Sequence, residues 1–299
     1  MLRYCLTTIF LAFSALSNAA VMAYSVADDN FQFPDHLVLI DLETGEYSSK
    51  GKIADPYIAL EGLAMSSNGT LYGADDNTKT LVQISVNEAL AFPVANVDQN
   101  FGFGSPQESF DFGMTFNCSN QLKMVVKHTG DLYNVNEMTG VASLIGNTGH
   151  NFTSIAAWGD DLFAVASGDF NLYKVDGDTA ESELVGSLGD LGGDIELNGS
   201  GMSFDEDGNL WLVINLRLSD PLNPFPSRIF KVNPTTGAAD FISETLVGIE
   251  SLAIAGPVGC DGFSGGSTVA VPATGIVATL LMSMLMLSLG LVALRLFNK

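Results

Sequence analysis

The sequence predicts an all-β protein: a five-bladed β-propeller with four-stranded antiparallel blades, in which N-terminal strands close the last blade. Two observations predict this fold. Two kinds of hairpin-forming segment alternate along most of the 299 residues, and each recurs every 40 to 50 residues or so, which is the size of one propeller blade. In addition, the two ends of the repeat region carry complementary parts of one blade.

The first kind of segment consists of a strand, a tight turn and a second strand. Apolar and polar residues alternate in it, and the pattern breaks at Gly, Asn or Asp, as a hairpin requires. Copies occupy residues 62–74, 113–125, 154–166 and 201–213. The equivalent first-strand positions, including a fifth, are separated by 51, 41, 47 and 50 residues, and they are Leu63, Met114, Ile155, Met202 and Leu252.

The second kind of segment has the form LYxVDxxTG and follows each copy of the first. It supplies a third strand, another tight turn and a fourth strand. Its copies begin at Leu37, Leu81, Leu132, Leu172 and Ile229. Together the two kinds give four antiparallel strands per unit, which is typical of a propeller blade.

The ends of the repeat region predict how the ring closes. The segment "AYSVADDN" (residues 23–30) reads as a second strand without a first, whereas "SLAIAG" (residues 251–256) reads as a first strand with none after it. Because an unpaired strand leaves an open sheet edge, we expect residues 21–53 to complete the blade that residues 250–255 begin. A β-sandwich and a six-bladed ring with one degenerate blade are the alternatives.

The N-terminal residues 1–20 have the layout of a secretory signal peptide. Arg3 precedes an apolar stretch, and small residues at the end include Ala19 and Ala20, after one of which we expect cleavage. The alternative is a first membrane helix, but the apolar stretch is shorter than the roughly 20 residues that span a bilayer.

The C-terminal residues 271–299 predict a membrane-spanning helix with a processing motif. Residues 276–294 carry no charge over 19 positions, and Arg295 and Lys299 follow. This length spans a bilayer, with the basic end on the cytoplasmic side; a buried core helix is the alternative, which the lack of a polar face disfavours. The motif that precedes the span is Val271, Pro272, Ala273, Thr274 and Gly275.

This tail resembles the C-terminal sorting signals of bacterial surface proteins. "VPATG" resembles the LPxTG motif of sortase substrates, and the whole tail is similar to PEP-CTERM and IPTL-type tails, without the "PEP" and Trp-Gly of those two. The resemblance covers about the last 30 residues and implies a sorting or processing protease as a partner. We therefore expect an exported protein at the cell surface, with the propeller at 21–256, a flexible linker at 257–270 and a membrane anchor.

Export also bears on the cysteines and on the charge. Cys5 leaves with the signal peptide, and an oxidising compartment favours a disulfide between Cys118 and Cys260 over two free thiols. The chain has 34 acidic and 12 basic residues, so nucleic acid is excluded as a partner, because phosphate binding needs clustered Lys and Arg. A high net charge also keeps exported proteins dispersed.

Strand direction divides the loops between two ends of the ring. The tight turns share one end, and the long segments 98–109, 187–200 and 215–227 share the other, where binding residues usually lie. Carboxylates suit calcium, and exposed aromatic rings stack on sugars or pack against a partner. These residues are Asp28, Asp29, Asp75, Asp76, Asp98, Asp190, Asp194, Glu196, Asp220, Phe31, Phe101, Phe103 and Phe225. Alternatively, the acidic residues only end strands and form turns.

The repeats resemble bacterial secreted propellers with LYxVDxxTG units, akin to NHL-type and lactonase-like propellers, over nearly the whole region between the termini. Lactonase-like members hold one metal ion in the central channel with Glu, Asn and Asp. The resemblance implies that Glu61 and Glu250, at the starts of first strands, are candidate metal ligands, with Asp75 and Asp76 beside them. Members of this group share a fold without sharing a function.

Catalytic motifs are absent from the sequence. His36, His128 and His150 have no His or Cys neighbour at metal-ligand spacing, and "DEDGN" (205–209) lacks the rest of an EF-hand and predicts a plain Asp-Gly hairpin. We therefore expect a surface-displayed binding or adhesion module without enzyme activity, whose partner is a surface carbohydrate or protein. The alternative is a calcium-dependent lactonase-like hydrolase.

Overall fold

A computed structural model describes residues 20–28, 30, 32–105, 108–192, 196–217 and 225–260. The predicted signal peptide before Ala20, most of the linker, the sorting motif from Val271 to Gly275 and the predicted membrane helix lie outside the described residues. No helix in the described part of the chain is long and apolar enough to cross a membrane.

Five antiparallel sheets confirm the predicted five-bladed, all-β propeller. Four sheets have four strands, and the fifth has three strands from the N-terminus. Blade 1 contains β4 (Leu60–Met65), β5 (Leu71–Asp75), β6 (Thr80–Ser85) and β7 (Leu90–Pro93). Blade 2 contains β8 (Phe112–Phe116), β9 (Leu122–Val126), β10 (Asp131–Val135) and β11 (Ala142–Asn147).

The remaining blades follow the same order from the inner to the outer strand. Blade 3 contains β12 (Phe152–Trp158), β13 (Asp161–Ala166), β14 (Asn171–Val175) and β15 (Ser182–Ser187). Blade 4 contains β16 (Glu196–Phe204), β17 (Leu210–Arg217), β18 (Arg228–Val232) and β19 (Ala239–Glu244). The closing blade contains β1 (Met22–Ala27), β2 (His36–Asp41) and β3 (Tyr47–Lys52).

The predicted closure of the ring is confirmed. Tyr24 in β1 forms an antiparallel bridge with Ala253, and Ala27 forms one with Ile249. The side-chain hydroxyl of Ser25 also donates a hydrogen bond of 2.5 Å to the carbonyl oxygen of Ser251. Residues 249–253 are thus the inner strand of the closing blade, and we call their pairing with β1 the seam.

Small residues bring the inner strands close together around the channel. Gly113 and Gly201 occupy equivalent places in β8 and β16. A Cβ atom at Gly113 would lie 2.8 Å from the Cα of Ser154, and one at Gly201 would lie 2.3 Å from the carbonyl carbon of Ser251. Only glycine permits these approaches, so the central channel is narrow.

The outer strands carry a repeated irregularity. The pairing between the third and outer strands shifts register at Leu132/Tyr133, at Leu172/Tyr173 and at Ile229/Phe230, and the closing blade has the same shift at Leu37/Val38. Such a bulge bends the strand and increases its local twist.

The predicted disulfide is present in the structure. Cys118, in the tight turn between β8 and β9, is bonded to Cys260, and their Cα atoms are 5.4 Å apart. The bond lies at the end of the ring that carries the tight turns, because Cys260 follows the inner strand of the closing blade.

Candidate functional site

The end of the channel opposite the tight turns brings polar side chains together. First strands begin and second strands end there, and blades 1, 2 and 4 and the closing blade contribute residues at the edge of the channel. We call this group the channel mouth, and its members are Asp28, Glu61, Asp76, Asp111, Lys127, Asn198, Asn215 and Glu250.

Glu250 is the best-connected carboxylate of the channel mouth. It lies on the inner strand of the closing blade and is 7% exposed. Its Oε1 accepts a hydrogen bond of 2.7 Å from the side-chain amide of Asn198 in β16 and another from the amide of Asn215 in β17. Gly199 leaves the room for this, because a Cβ there would lie 2.1 Å from Glu250 Oε2.

Glu61 faces the same space from β4 and has different surroundings. Its carboxyl group makes no hydrogen bond or ion pair with another residue in the described part of the chain. Loss of hydration by burial raises the pKa of Glu61 well above its ordinary value, and the nearby negative charges raise it further, in the order Glu250, Asp28, Asp111 and Asp76. Glu61 therefore binds a proton more readily than an ordinary glutamate.

Two lysines neutralise part of the acidic group. Lys127 forms an ion pair with Asp111, and its ammonium also donates a hydrogen bond of 2.7 Å to the carbonyl oxygen of Asn198. Lys79 is only 1% exposed and lies 2.6 Å from Asp76 Oδ1. Both lysines have these partners within the protein, which leaves Glu61 without an ion pair to either lysine in the described structure.

A row of hydroxyl groups lies below the channel mouth. The hydroxyls of Thr153 and Ser200 are 2.5 Å apart, and Ser200 donates a hydrogen bond of 2.8 Å to Ser154. Apolar side chains of the inner strands, including Met114 and Met202, line the same narrow cavity. The channel is therefore polar at its mouth and apolar deeper inside.

Asp75 has a structural role that the sequence did not indicate. It is fully buried and accepts hydrogen bonds from the backbone amides of Ala59 and Thr78 and from the Thr78 hydroxyl. These donors fix the turn after β5. Of the predicted metal ligands, the structure therefore brings Glu61 and Glu250 to one cavity, and Asp76 lies close enough to Glu61 to raise its pKa.

Three of the aromatic residues expected to be exposed, Phe101, Phe103 and Phe225, pack against other side chains. Phe101 is 0% exposed, and its ring stacks on Phe103 at 5.8 Å. Phe103 in turn stacks on Tyr133 at 4.7 Å. Phe225 is half-buried and packs against the core between blades 3 and 4. The expectation of exposure is therefore wrong for Phe101, because the segment folds back onto blade 2; Asp194 lies outside the described residues.

Sequence reasoning did not select Asn198, Asn215, Asp111 or Lys127 as site residues. One signal was available: Asn215 is a polar residue inside the apolar run "LWLVINL" (210–216), and a buried amide in a strand needs a specific partner. The others carry no such signal, since each follows or precedes a strand like many other polar residues of the chain.

The channel mouth has the chemistry of a site for a hard cation, although its carboxylates are spread out. Its oxygen atoms come from carboxylates and side-chain amides, which are ligands that calcium prefers. Within the described ranges, no group of three or more His, Cys, Asp or Glu side chains is close enough together to hold a metal ion. A cation at Glu61 and Glu250 would therefore need amide or backbone oxygens to complete its coordination.

The sequence matches no protein-family model and no curated protein. Among solved structures, it is similar to virginiamycin B lyase from Staphylococcus aureus, with 12% identity and a TM-score of 0.42, over 70% of this chain and 63% of the lyase, which is less than two thirds of its length. It is also similar to a protein of unknown function from Bacteroides caccae, with 9% identity and a TM-score of 0.49, over 79% and 98% of the two chains.

A third similar structure is regucalcin from Agrobacterium tumefaciens, described as a calcium-binding protein. The identity is 15% and the TM-score 0.44, over 80% of this chain and 75% of regucalcin. At these identities the similarities concern the fold alone.

Proposed function

We propose that this protein is a binding propeller displayed at the cell surface, and that its ligand contacts the channel mouth. The observation that carries the proposal is Glu61, a carboxyl group without a hydrogen-bond partner in the described structure, which lines one cavity with Glu250 and whose pKa is raised by burial and by four neighbouring carboxylates. Burying a charge near like charges is unfavourable, and a bound ligand that donates hydrogen bonds or positive charge removes that cost.

The position of the two ends of the ring supports this proposal. Cys260 leads toward the predicted anchor from the end with the tight turns, and the channel mouth lies at the opposite end. An anchored propeller would therefore present the channel mouth to the exterior, where a surface carbohydrate or protein is available.

Hydrogen-bond acceptors dominate the channel mouth, so the ligand must supply donors. Sugar hydroxyls and basic side chains of a protein both do so. The test measures binding of the purified protein to a panel of surface polysaccharides and basic peptides, with Glu61→Gln beside a matched exposed control, Glu46→Gln. We expect Glu61→Gln to lose binding and Glu46→Gln to keep it; equal binding by the two variants would contradict the proposal.

A calcium-dependent hydrolase of the lactonase-like kind is the second candidate function. Glu61 and Glu250, with the amides of Asn198 and Asn215 beside them, provide oxygen ligands of the kind that calcium takes. Calcium bound there would polarise an ester carbonyl as a Lewis acid. The residues of the chain would hold the ion and position the substrate over the channel mouth.

Metal analysis and activity separate the two candidates. Because Glu61 must lose its proton to bind a cation, calcium affinity should rise with pH. A hydrolase requires stoichiometric calcium in the purified protein, release of product from simple lactones or esters, and loss of both in Glu250→Gln. A binding propeller retains ligand binding without turnover of any of these substrates.

A further inference from the structure

The segment after the seam, residues 254–260, crosses the tight-turn end of the ring, and we call it the strap. Gly256 packs on the turn of blade 1, where an added Cβ would lie 2.7 Å from the carbonyl oxygen of Ser66. The carbonyl oxygen of Val258 accepts a hydrogen bond of 2.8 Å from Gly159 in the turn of blade 3. Cys260 then reaches the turn of blade 2 through its disulfide with Cys118.

The strap also closes this end of the channel. Ala255, Pro257 and Val258 line one cavity together with Met114 and Met202 of the inner strands. The side chains of the strap therefore cover the apolar, lower part of the channel, so the strap contacts three blades and the channel between them.

The seam beside the strap has few backbone pairs, although side-chain hydrogen bonds between Ser25, Val26 and Ser251 also cross it. Between β1 and residues 249–253 the structure has two isolated bridges, whereas β1 and β2 pair over six residues. The pair Tyr24 and Ala253 exchange backbone hydrogen bonds of 2.8 and 2.9 Å, and this pair is the one nearest the strap. Opening that begins at the C-terminal side would therefore break the Tyr24–Ala253 pair first.

We propose that the strap is a covalently latched closure, in which the Cys118–Cys260 disulfide keeps the seam from opening at its C-terminal side. Residues 261–299 follow Cys260 directly. A displacement of Cys260 from its C-terminal side reaches blade 2 through the disulfide before it reaches Ala253. Without the bond, noncovalent contacts such as the Gly159–Val258 hydrogen bond alone hold the strap between that displacement and the Tyr24–Ala253 pair. This role is independent of what the channel mouth binds.

Amide hydrogen exchange of the full chain tests the proposal. The double variant Cys118→Ser/Cys260→Ser removes the latch and leaves the five sheets intact. We expect exchange of residues 22–27 and 249–260 to increase about tenfold or more, and exchange of β13 and β14 to stay unchanged, since local opening exposes only the segment that opens. A uniform increase in all blades would overturn the proposal, because it indicates a general loss of stability, and so would no increase at the seam.

A matched control gives the pattern of amide exchange that a general loss of stability produces. Leu172→Ala removes a side chain that is 0% exposed in blade 3, and it should increase exchange throughout the propeller without favouring the seam. If the double variant does not fold, dithiothreitol replaces it on the folded wild-type chain. It reduces the bond by exchange to two cysteine thiols and becomes a cyclic disulfide, and the same two outcomes decide the question.

Discussion

Tyr24 and Ala253 exchange two backbone hydrogen bonds, of 2.8 and 2.9 Å, across the seam of the ring. The first residue belongs to the N-terminal strand and the second to the C-terminal end of the repeat region. The ring is therefore held closed by contacts between residues far apart in sequence.

A proline at Ala253 should open the ring. Ala253→Pro removes the amide hydrogen that Tyr24 accepts and places a ring against the neighbouring strand, at a cost of about 3 kcal/mol or more. Chemical denaturation measures the loss. Ala255→Pro is the control, because the amide of Ala255 donates to no other described backbone group. Similar denaturation midpoints for the two variants would contradict the claim that the seam stabilises the ring.

An alanine at Gly201 should destabilise the packing of the inner strands. The new Cβ would lie 2.3 Å from the carbonyl carbon of Ser251, so the backbone must move. We expect a loss of about 3 kcal/mol, the upper end of the usual cost of overpacking, measured by thermal unfolding. Gly168→Ala serves as the control, since nothing lies within 4 Å of a Cβ there. An unchanged melting temperature for Gly201→Ala would show that the strands are farther apart.

Replacement of Glu61 by glutamine should stabilise the protein in a pH-dependent manner. The pKa of Glu61 is raised in the folded state. The protonated carboxyl group therefore makes its full contribution to stability below the ordinary pKa of glutamate, and this contribution is lost as the pH rises through the raised pKa. Glu61→Gln should therefore match the wild type near pH 4 and be more stable near pH 8. Each unit of pKa shift accounts for about 1.4 kcal/mol.

Urea denaturation in calcium-free buffer at several pH values measures the difference in free energy of unfolding between Glu61→Gln and the wild type. Glu46→Gln, at an exposed position between β2 and β3, is the matched control for the loss of one carboxylate. If Glu61→Gln were as much more stable than the wild type near pH 4 as near pH 8, burial and charge repulsion would not explain the difference.

Labelling of intact cells tests which end of the ring faces outward. Because the strap leads toward the predicted anchor from the tight-turn end, a cysteine at Ser105 should react with an impermeant maleimide faster than one at Thr236, in a tight turn of blade 4. The comparison requires equal reactivity of the two variants after purification. Equal rates on cells, or faster reaction at Thr236, would contradict the proposed orientation.

The sequence was sufficient to predict the blades and the seam because both depend on periodic patterns. The alternation in "AYSVADDN" and the isolated "SLAIAG" identified the two halves of the closing blade, and the order of strands placed Cys118 and Cys260 at the same end of the ring. Glu61 and Glu250 were selected from the resemblance to lactonase-like propellers, because both lie at the start of a first strand, where that resemblance implies a metal ligand.

The rest of the channel mouth depends on features that do not repeat. Asn198 reaches Glu250 from a strand whose pairing shifts register between Leu197 and Gly199, and alternation alone does not reveal such a shift. Phe101 lies in a long segment whose path is determined by tertiary contacts, so its burial could not be inferred from the pattern around it.

The register shifts of the outer strands affect how readily the sheets of two molecules can pair. Each blade ends in a strand with a free edge, and an ordinary straight edge can pair with the edge of another molecule. The shifts at Leu132/Tyr133, Leu172/Tyr173, Ile229/Phe230 and Leu37/Val38 distort four of these edges, and the fifth outer strand, β7, is only four residues long. These outer strands are therefore poor templates for pairing with the sheet of a second molecule.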